Sequence, residues 1–238
     1  MKLAVIPARG GSKRVPRKNV KAFCGRPMIA WSITAAIESG CFDRIIVTTD
    51  DEEIAEEAVR QGAEVPFRRP AELSDDLTPT VPVVAHAIRW QQQSTSVDLA
   101  CCLYATAPFI RAEDLRAGLA LMQDGVDYAF PVTTYDFPIQ RAIRVDEAGR
   151  VSMLQPEHLL TRSQDLEEAY HDAGQFYWGR TEAWLTGQPI FGERSRVLRL
   201  PRHRVQDIDT SEDWERAELI FTALRTQTIK RDAAHATG

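Results

Sequence analysis

Leu3-Ala-Val-Ile-Pro-Ala-Arg-Gly-Gly-Ser-Lys-Arg-Val-Pro-Arg-Lys-Asn19 carries a short apolar run into a glycine pair and a burst of positive charge. The run reads as a buried first strand, and the glycine-rich, cationic stretch after it as a loop that holds phosphate. Gly10 and Gly11 are expected to turn the backbone at positive φ and bring N–H groups close to a ligand. Arg9, Lys13, Arg14, Arg17 and Lys18 supply charge-assisted donors. Five cations within residues 9–18 of a chain of net charge -5 repel one another, and a bound polyanion relieves that most directly. A nucleotide triphosphate is the expected ligand, with a solvated basic loop and a nucleic-acid patch as the other readings. The loop is neither a GxxxxGK[ST] nor a GxGxxG sequence, so the nucleotide is bound in some other way.

Downstream, strand and helix patterns alternate. Pro27 can start a helix whose Met28, Ile29, Ile33, Ala36 and Ile37 share a face, with Gly40 as the stop. Arg44 to Thr49 is a β-branched run, and Asp50 with Glu53 caps a helix ending at Gly62. Ala63 to Pro66 reads as a short strand. The aperiodic stretch from Phe67 to Thr80 is long enough to be a functional loop. A helix over 81–93 precedes a doubly apolar, hence central, strand from Asp98 to Leu103. That strand runs into a loop where Thr106 either touches substrate or sits in an ordinary turn. The pattern predicts an α/β fold with a doubly wound, mostly parallel sheet.

From Asp127 the alternation changes. Tyr128 to Thr133 is a strand, and Ala142–Val145 and Arg150–Leu154 around Asp146 to Gly149 read as a β-hairpin, a place for an oligomer contact or a lid. Ala173 to Trp178 is an aromatic strand, Glu182 to Leu185 a short helix, and Arg196 to Leu200 closes the sheet. In Val205-Gln-Asp-Ile-Asp-Thr210 the carboxylates of Asp207 and Asp209 alternate around Ile208, so extended backbone turns both one way with Ile208 in the core. A hard divalent cation such as Mg²⁺ would relieve their repulsion, unless Asp209 merely assists the cap that Thr210 and Asp213 make for a last helix. One domain is expected over 1–225, with a hairpin and loop extension at about 135–170 and a flexible tail at 226–238.

Composition narrows the function. An acidic total with its cations in one loop argues against nucleic acid and favours small anionic ligands. Cys24, Cys41, Cys101 and Cys102 have no zinc spacing and read as buried thiols in a reducing compartment. No segment approaches the ~18 apolar residues of a membrane helix, and the N-terminus enters a strand rather than a signal sequence. A cytoplasmic location without a membrane partner is the expectation.

These pieces together resemble the CMP-sugar acid synthetases, the cytidylyltransferases that charge sialic acids and their bacterial relatives, a family of nucleotide-diphospho-sugar transferase-like (Rossmann-like) fold. The family pattern IPARGGSKxxPxKN is intact from Ile6 to Asn19, and RPxxL matches Arg69 to Leu73. RxQDLxxxY matches Arg162 to Tyr170, and the DID aspartates match Asp207 and Asp209. The resemblance implies transfer of CMP from CTP to a nonulosonic sugar acid with release of pyrophosphate. Tyr104 replaces a glutamine of the sialic acid enzymes, and Ala173-Gly174 their asparagine-glycine. Both changes favour a more apolar 6-deoxy sugar acid with extra acylamino groups, plain sialic or legionaminic acid being the alternative. The resemblance further implies that Arg9, Gly10, Gly11, Ser12 and Lys13 hold the triphosphate, that Lys18 and Asn19 steady the pyrophosphate, and that Arg69 and Ala8 meet the cytosine. Mg²⁺ would sit on Asp207 and Asp209, and a homodimer would form through the extension. Gln140, Arg141, Arg162, Gln164, Gln175, Tyr177 and Gln206 are the pool for the sugar acid, Arg162 and Gln206 first. His171 reads as a structural histidine rather than a base. A nucleotide-binding module without catalysis would not need the acidic pair.

Overall fold

A computed structural model describes the backbone of residues 1–236 and the side chains of residues 1–227. Leu3, Ala4, Val5 and Ile6 are wholly buried in β1 (Lys2–Pro7). The phosphate loop then leads to a tight turn between β2 (Ala22–Phe23) and β3 (Arg26–Pro27). Helix α1 (Met28–Ser39) comes next and ends at Gly40, whose φ of 63° suits glycine. The chain continues through β4 (Arg44–Thr48), α2 (Glu52–Arg60), α3 (Thr80–Gln91), β5 (Leu99–Leu103), α4 (Ala112–Ala120) and β6 (Tyr128–Thr134). A hairpin of β7 (Ile143–Val145) and β8 (Val151–Met153) projects before β9 (Tyr170–Asp172) and β10 (Phe176–Arg180). Helix α5 (Thr181–Thr186), β11 (Ser195–Arg199) and α6 (Ser211–Ala236) complete the chain.

The sheet order is β11-β6-β10-β5-β1-β4, with β9 also paired to β6. Pairing is parallel from β4 through β1 to β5 and between β6 and β11, while β10 runs antiparallel to both its neighbours. β9 is likewise antiparallel to β6, so the expected α/β sheet is present with two reversed strands. Alternation along β1 sends Leu3 and Val5 to a layer with Val84, Ile88 and Trp184, and Ala4 and Ile6 to a layer with Ile29, Ile33 and Trp178. A third cluster lies beyond the sheet: Val15, Phe23 and Met28 pack with Phe109, Ile208, Trp214 and Phe221. Phe23 meets the rings of Trp214 and Phe221 edge-on, each at 5.4 Å. Burying Val15 and Ile208 there contributes about 1.5–3 kcal/mol each. It also ties the N-terminal loop to the segment before α6.

Several local expectations shift. Asp51 rather than Asp50 caps α2, accepting from Ile54 N at 3.0 Å. The expected strand at Ala63–Pro66 is reduced to isolated bridges, Ile46 to Glu64 and Thr49 to Arg68, because Pro66 and Pro70 donate no N–H to extend a ladder. The aromatic strand begins at Phe176, and the residues before it turn through Gly174 at φ 59° back to β9. Helix α4 has no counterpart among the elements expected from sequence. The tail expected at 226–238 falls on helical backbone as far as Ala236, and its last two residues lie outside the described residues. Among the described residues no helix is long and apolar enough to cross a membrane.

Candidate active site

The phosphate loop sits at the carboxyl end of β1, pinned on both sides. Asn19 is buried, donates through Nδ2 to the Arg9 carbonyl at 2.9 Å, and accepts from Ile29 N at 2.9 Å. Gly10 N donates to Asp50 Oδ1 at 3.1 Å. Neither Gly10 nor Gly11 has the expected positive φ; Arg17 does, at 56°. Glycine at position 10 answers a need for space, since a Cβ there would lie 2.6 Å from Asp51 Oδ2. Arg17 turns away from the loop and forks onto Asp51 at 2.6 and 3.1 Å, with Glu53 also in contact. Its hydrogen bond holds the Asp51 carboxyl below the usual carboxylate range. One of the five cations is thus a clasp to α2.

The other four face a cleft of about 440 Å³, which Ser12, Asn19 and Thr106 also line. Two carboxylates stand among them. Asp76, from the aperiodic loop between α2 and α3, takes Lys13 Nζ at 2.5 Å and also pairs with Arg9. Lys13 first, then Arg9, pull its carboxyl below the ordinary range. Asp209 takes Arg14 Nη1 at 2.9 Å and Lys18 Nζ at 3.4 Å. The basic stretch and the late acidic pair, 191 residues apart between Lys18 and Asp209, therefore meet in one cleft.

Asp209 also borders a larger cavity of about 1260 Å³, shared with Asp207, Gln206 and Arg141. Loss of water pushes the Asp207 carboxyl up, and the charge of Asp209 adds to the shift. Two oxygen-donor side chains that repel one another fit a hard divalent cation, which needs only one or two protein carboxylates when phosphate and water complete its shell. Among the described residues no group of three or more His, Cys, Asp or Glu forms a fuller cage.

The remaining sequence-derived residues lie elsewhere. Arg69 is buried, with Nε 3.3 Å from Thr48 Oγ1 and its fork on the Thr48 carbonyl, and burial lowers its pKa to about 10, so it stays cationic at neutral pH. The Ala8 N–H is spent on Thr48 O at 3.0 Å. Of the sugar-acid pool, only Arg141 and Gln206 reach the large cavity wall. Gln140 donates to Glu167 O at 2.9 Å, Arg162 forks onto Asp165 at 2.7 and 3.2 Å, and Gln164 is exposed. Gln175 is buried and donates to Arg204 O at 2.7 Å. Tyr177 donates to Asp172, and burial pushes its hydroxyl far up. Tyr104 packs 5.5 Å from the Tyr177 ring, inside the sheet layer. His171 and Arg202 line the large cavity although nothing in the sequence places them there, and so does Thr133. Sequence reasoning misses Asp76 too; its only signal is a carboxylate in a long loop without periodicity.

A family model described as cytidylyltransferase matches residues 3–230. Pseudaminic acid cytidylyltransferase of Campylobacter jejuni is 46% identical over 221 residues, covering 92% of this chain and 95% of that protein. CMP-N,N'-diacetyllegionaminic acid synthase of Legionella pneumophila is 31% identical over 227 residues, covering 92% and 95%. Among solved structures, CMP:2-keto-3-deoxy-manno-octonic acid synthetase complexed with CTP matches with a TM-score of 0.67 at 17% identity, covering 93% of this chain and 98% of that one. 4-Diphosphocytidyl-2C-methyl-D-erythritol synthase of Anaerococcus prevotii gives 0.62 at 13%, with the same coverage of 93% and 98%. At these identities the likeness is one of fold.

Proposed function

The chain belongs to the cytidylyltransferase family and is a nucleotidyltransferase, and from that premise we propose that it transfers CMP from CTP to pseudaminic acid and releases pyrophosphate. The observation that carries this reading is the meeting of Lys18 and Arg14 with Asp209 in the cleft that Arg9 and Lys13 also line. Such a cleft suits a triphosphate on its cationic side and a metal on its acidic side. The sugar-acid assignment is supported by the similarity to the Campylobacter enzyme. It agrees with the preference for a more apolar acid read from Tyr104.

In the reaction the anomeric hydroxyl oxygen bonds to the α-phosphorus, the bond to the β-phosphate bridging oxygen breaks, and the hydroxyl proton passes to solvent. The protein supplies alignment and charge cancellation. Arg9 and Lys13 hold the triphosphate in place of Asp76, the Gly10 and Ser12 N–H groups being already engaged within the loop and by Asp50. Lys18, with only 14% of its side chain exposed, offers a fixed positive charge to the departing pyrophosphate. Thr106 closes the cleft at the carboxyl end of β5. Asp207 and Asp209 would hold Mg²⁺, which when bound supplies charge neutralisation at phosphate and a more acidic attacking hydroxyl. The large cavity beside Asp209 would take the sugar acid, with Arg141 and Gln206 as its polar contacts.

A cytoplasmic enzyme and a homodimer complete the reading. The dimer is supported by Ile143, Val145 and Val151, which are 56%, 60% and 63% exposed on the hairpin and form an apolar surface that needs cover. The test is pyrophosphate release with CTP and a panel of sugar acids, with and without Mg²⁺. Pseudaminic acid is expected to give the highest kcat/KM, and only with the metal present. Faster turnover of N-acetylneuraminic acid would overturn the sugar assignment, and no release with any acid would overturn the activity.

A further inference from the structure

Arg204 and Asp114 form an ion pair with both residues nearly sealed, 8% and 6% exposed, whereas every other ion pair among the described residues leaves a partner more open. Arg204 Nη1 lies 3.2 Å from Asp114 Oδ1, and Nη2 touches the same carboxylate and, at 3.4 Å, the Phe109 carbonyl. Burying two charges costs desolvation, and apolar replacements of such pairs are often neutral or stabilising, so stability alone does not account for the pair. Its place in the chain does. Asp114 belongs to the first turn of α4, and Arg204 ends the turn Arg202–Arg204 that leads into residues 205–209. That segment has no ladder of its own, yet it carries Asp207 and Asp209. Three contacts pin it. The Arg204 carbonyl accepts from Gln175 Nε2 at 2.7 Å, Ile208 is 2% exposed in the third apolar cluster, and Asp213 Oδ2 accepts from Asp209 N at 3.2 Å and Thr210 N at 2.9 Å.

We propose that Asp114 and Arg204 are positioning residues for the acidic pair, fixing the backbone that sets Asp207 against Asp209. The proposal rests on the reading of that pair as metal ligands. It also gives Gln175, assigned to the sugar acid from sequence, a role as a brace on the same post.

The test measures Mn²⁺ binding to the full-length protein with CTP by electron paramagnetic resonance, alongside metal-free CTP binding and thermal midpoint. The variants are Asp114→Asn, the apolar double variant Asp114→Leu/Arg204→Met, and Asp209→Asn. The first two are expected to weaken Mn²⁺ binding about tenfold, as loss of outer support for a metal site does, while metal-free CTP binding stays as in the parent. The double variant, with no buried charge left unpaired, keeps the readout available where Asp114→Asn does not fold. Parental Mn²⁺ affinity in the folded variants, with Asp209→Asn deficient, would overturn the positioning role alone. Parental affinity in Asp209→Asn would overturn the metal reading and the proposal with it.

Discussion

Asp207 and Asp209 differ although they stand two residues apart. Asp209 is engaged by Arg14 and Lys18, while among the described residues no ion pair reaches Asp207, whose carboxyl is raised by partial loss of water and by its neighbour. A carboxyl raised in the folded state binds its proton before an ordinary one does as pH falls. Its contribution to the stability of the metal-free fold is fully present below the unfolded value and is lost as pH rises through the folded one. Metal binding has the opposite sense, because it needs both carboxylates ionised. The Mg²⁺ concentration for half-maximal rate is therefore expected to rise about tenfold per unit of pH below the folded pKa of Asp207, starting above the ordinary carboxylate range. A series of Mg²⁺ titrations at falling pH checks this; a half-saturation flat down to that range would remove Asp207 from the metal site.

At the level of elements, the loop from Phe67 to Thr80 places Asp76 against Arg9 and Lys13. CTP must displace that carboxylate to engage both cations. Asp76→Asn is expected to lower the KM for CTP about threefold to tenfold with kcat kept, the scale on which exposed ion pairs compete. A raised KM would mean that Asp76 helps to bind CTP. The loop was legible as functional from its length and lack of period, but not the carboxylate's target, since an aperiodic segment carries no information about which way its side chains face. The glycine pair shows the same limit. Its presence marked a close approach of backbone, yet the cause at Gly10 is the Asp51 side chain across the βα junction rather than a left-handed turn. The cap of α2 lies one residue later than expected because Asp50 and Asp51 are equally good N-cap residue types, and the loop's Gly10 N–H claims Asp50.

For the whole molecule, the hairpin of β7 and β8 stands apart from the central sheet as a two-stranded ladder of its own. Every residue of β7 is exposed, including Ile143 and Val145. In the proposed homodimer this face is buried, so Ile143→Glu together with Val151→Glu is expected to yield monomers in light scattering while the thermal midpoint of the parallel core is kept. Monomers in the parent protein would remove the dimer.

Sequence by itself determined most of the order of strands and helices, though not α4 or β9, together with the cationic loop after β1 and the late acidic pair, because apolar period and side-chain chemistry are local properties. It also implied that loop and acids share a site, through a family likeness rather than through any distance. Only the tertiary structure decided that β10 enters the sheet reversed between β5 and β6, that Arg17 faces α2 while Arg14 faces Asp209, and that Gln175 and Tyr177 serve the interior. A period tells which face of an element is buried but not what it is buried against. Long polar side chains point wherever distant parts of the chain place their partners.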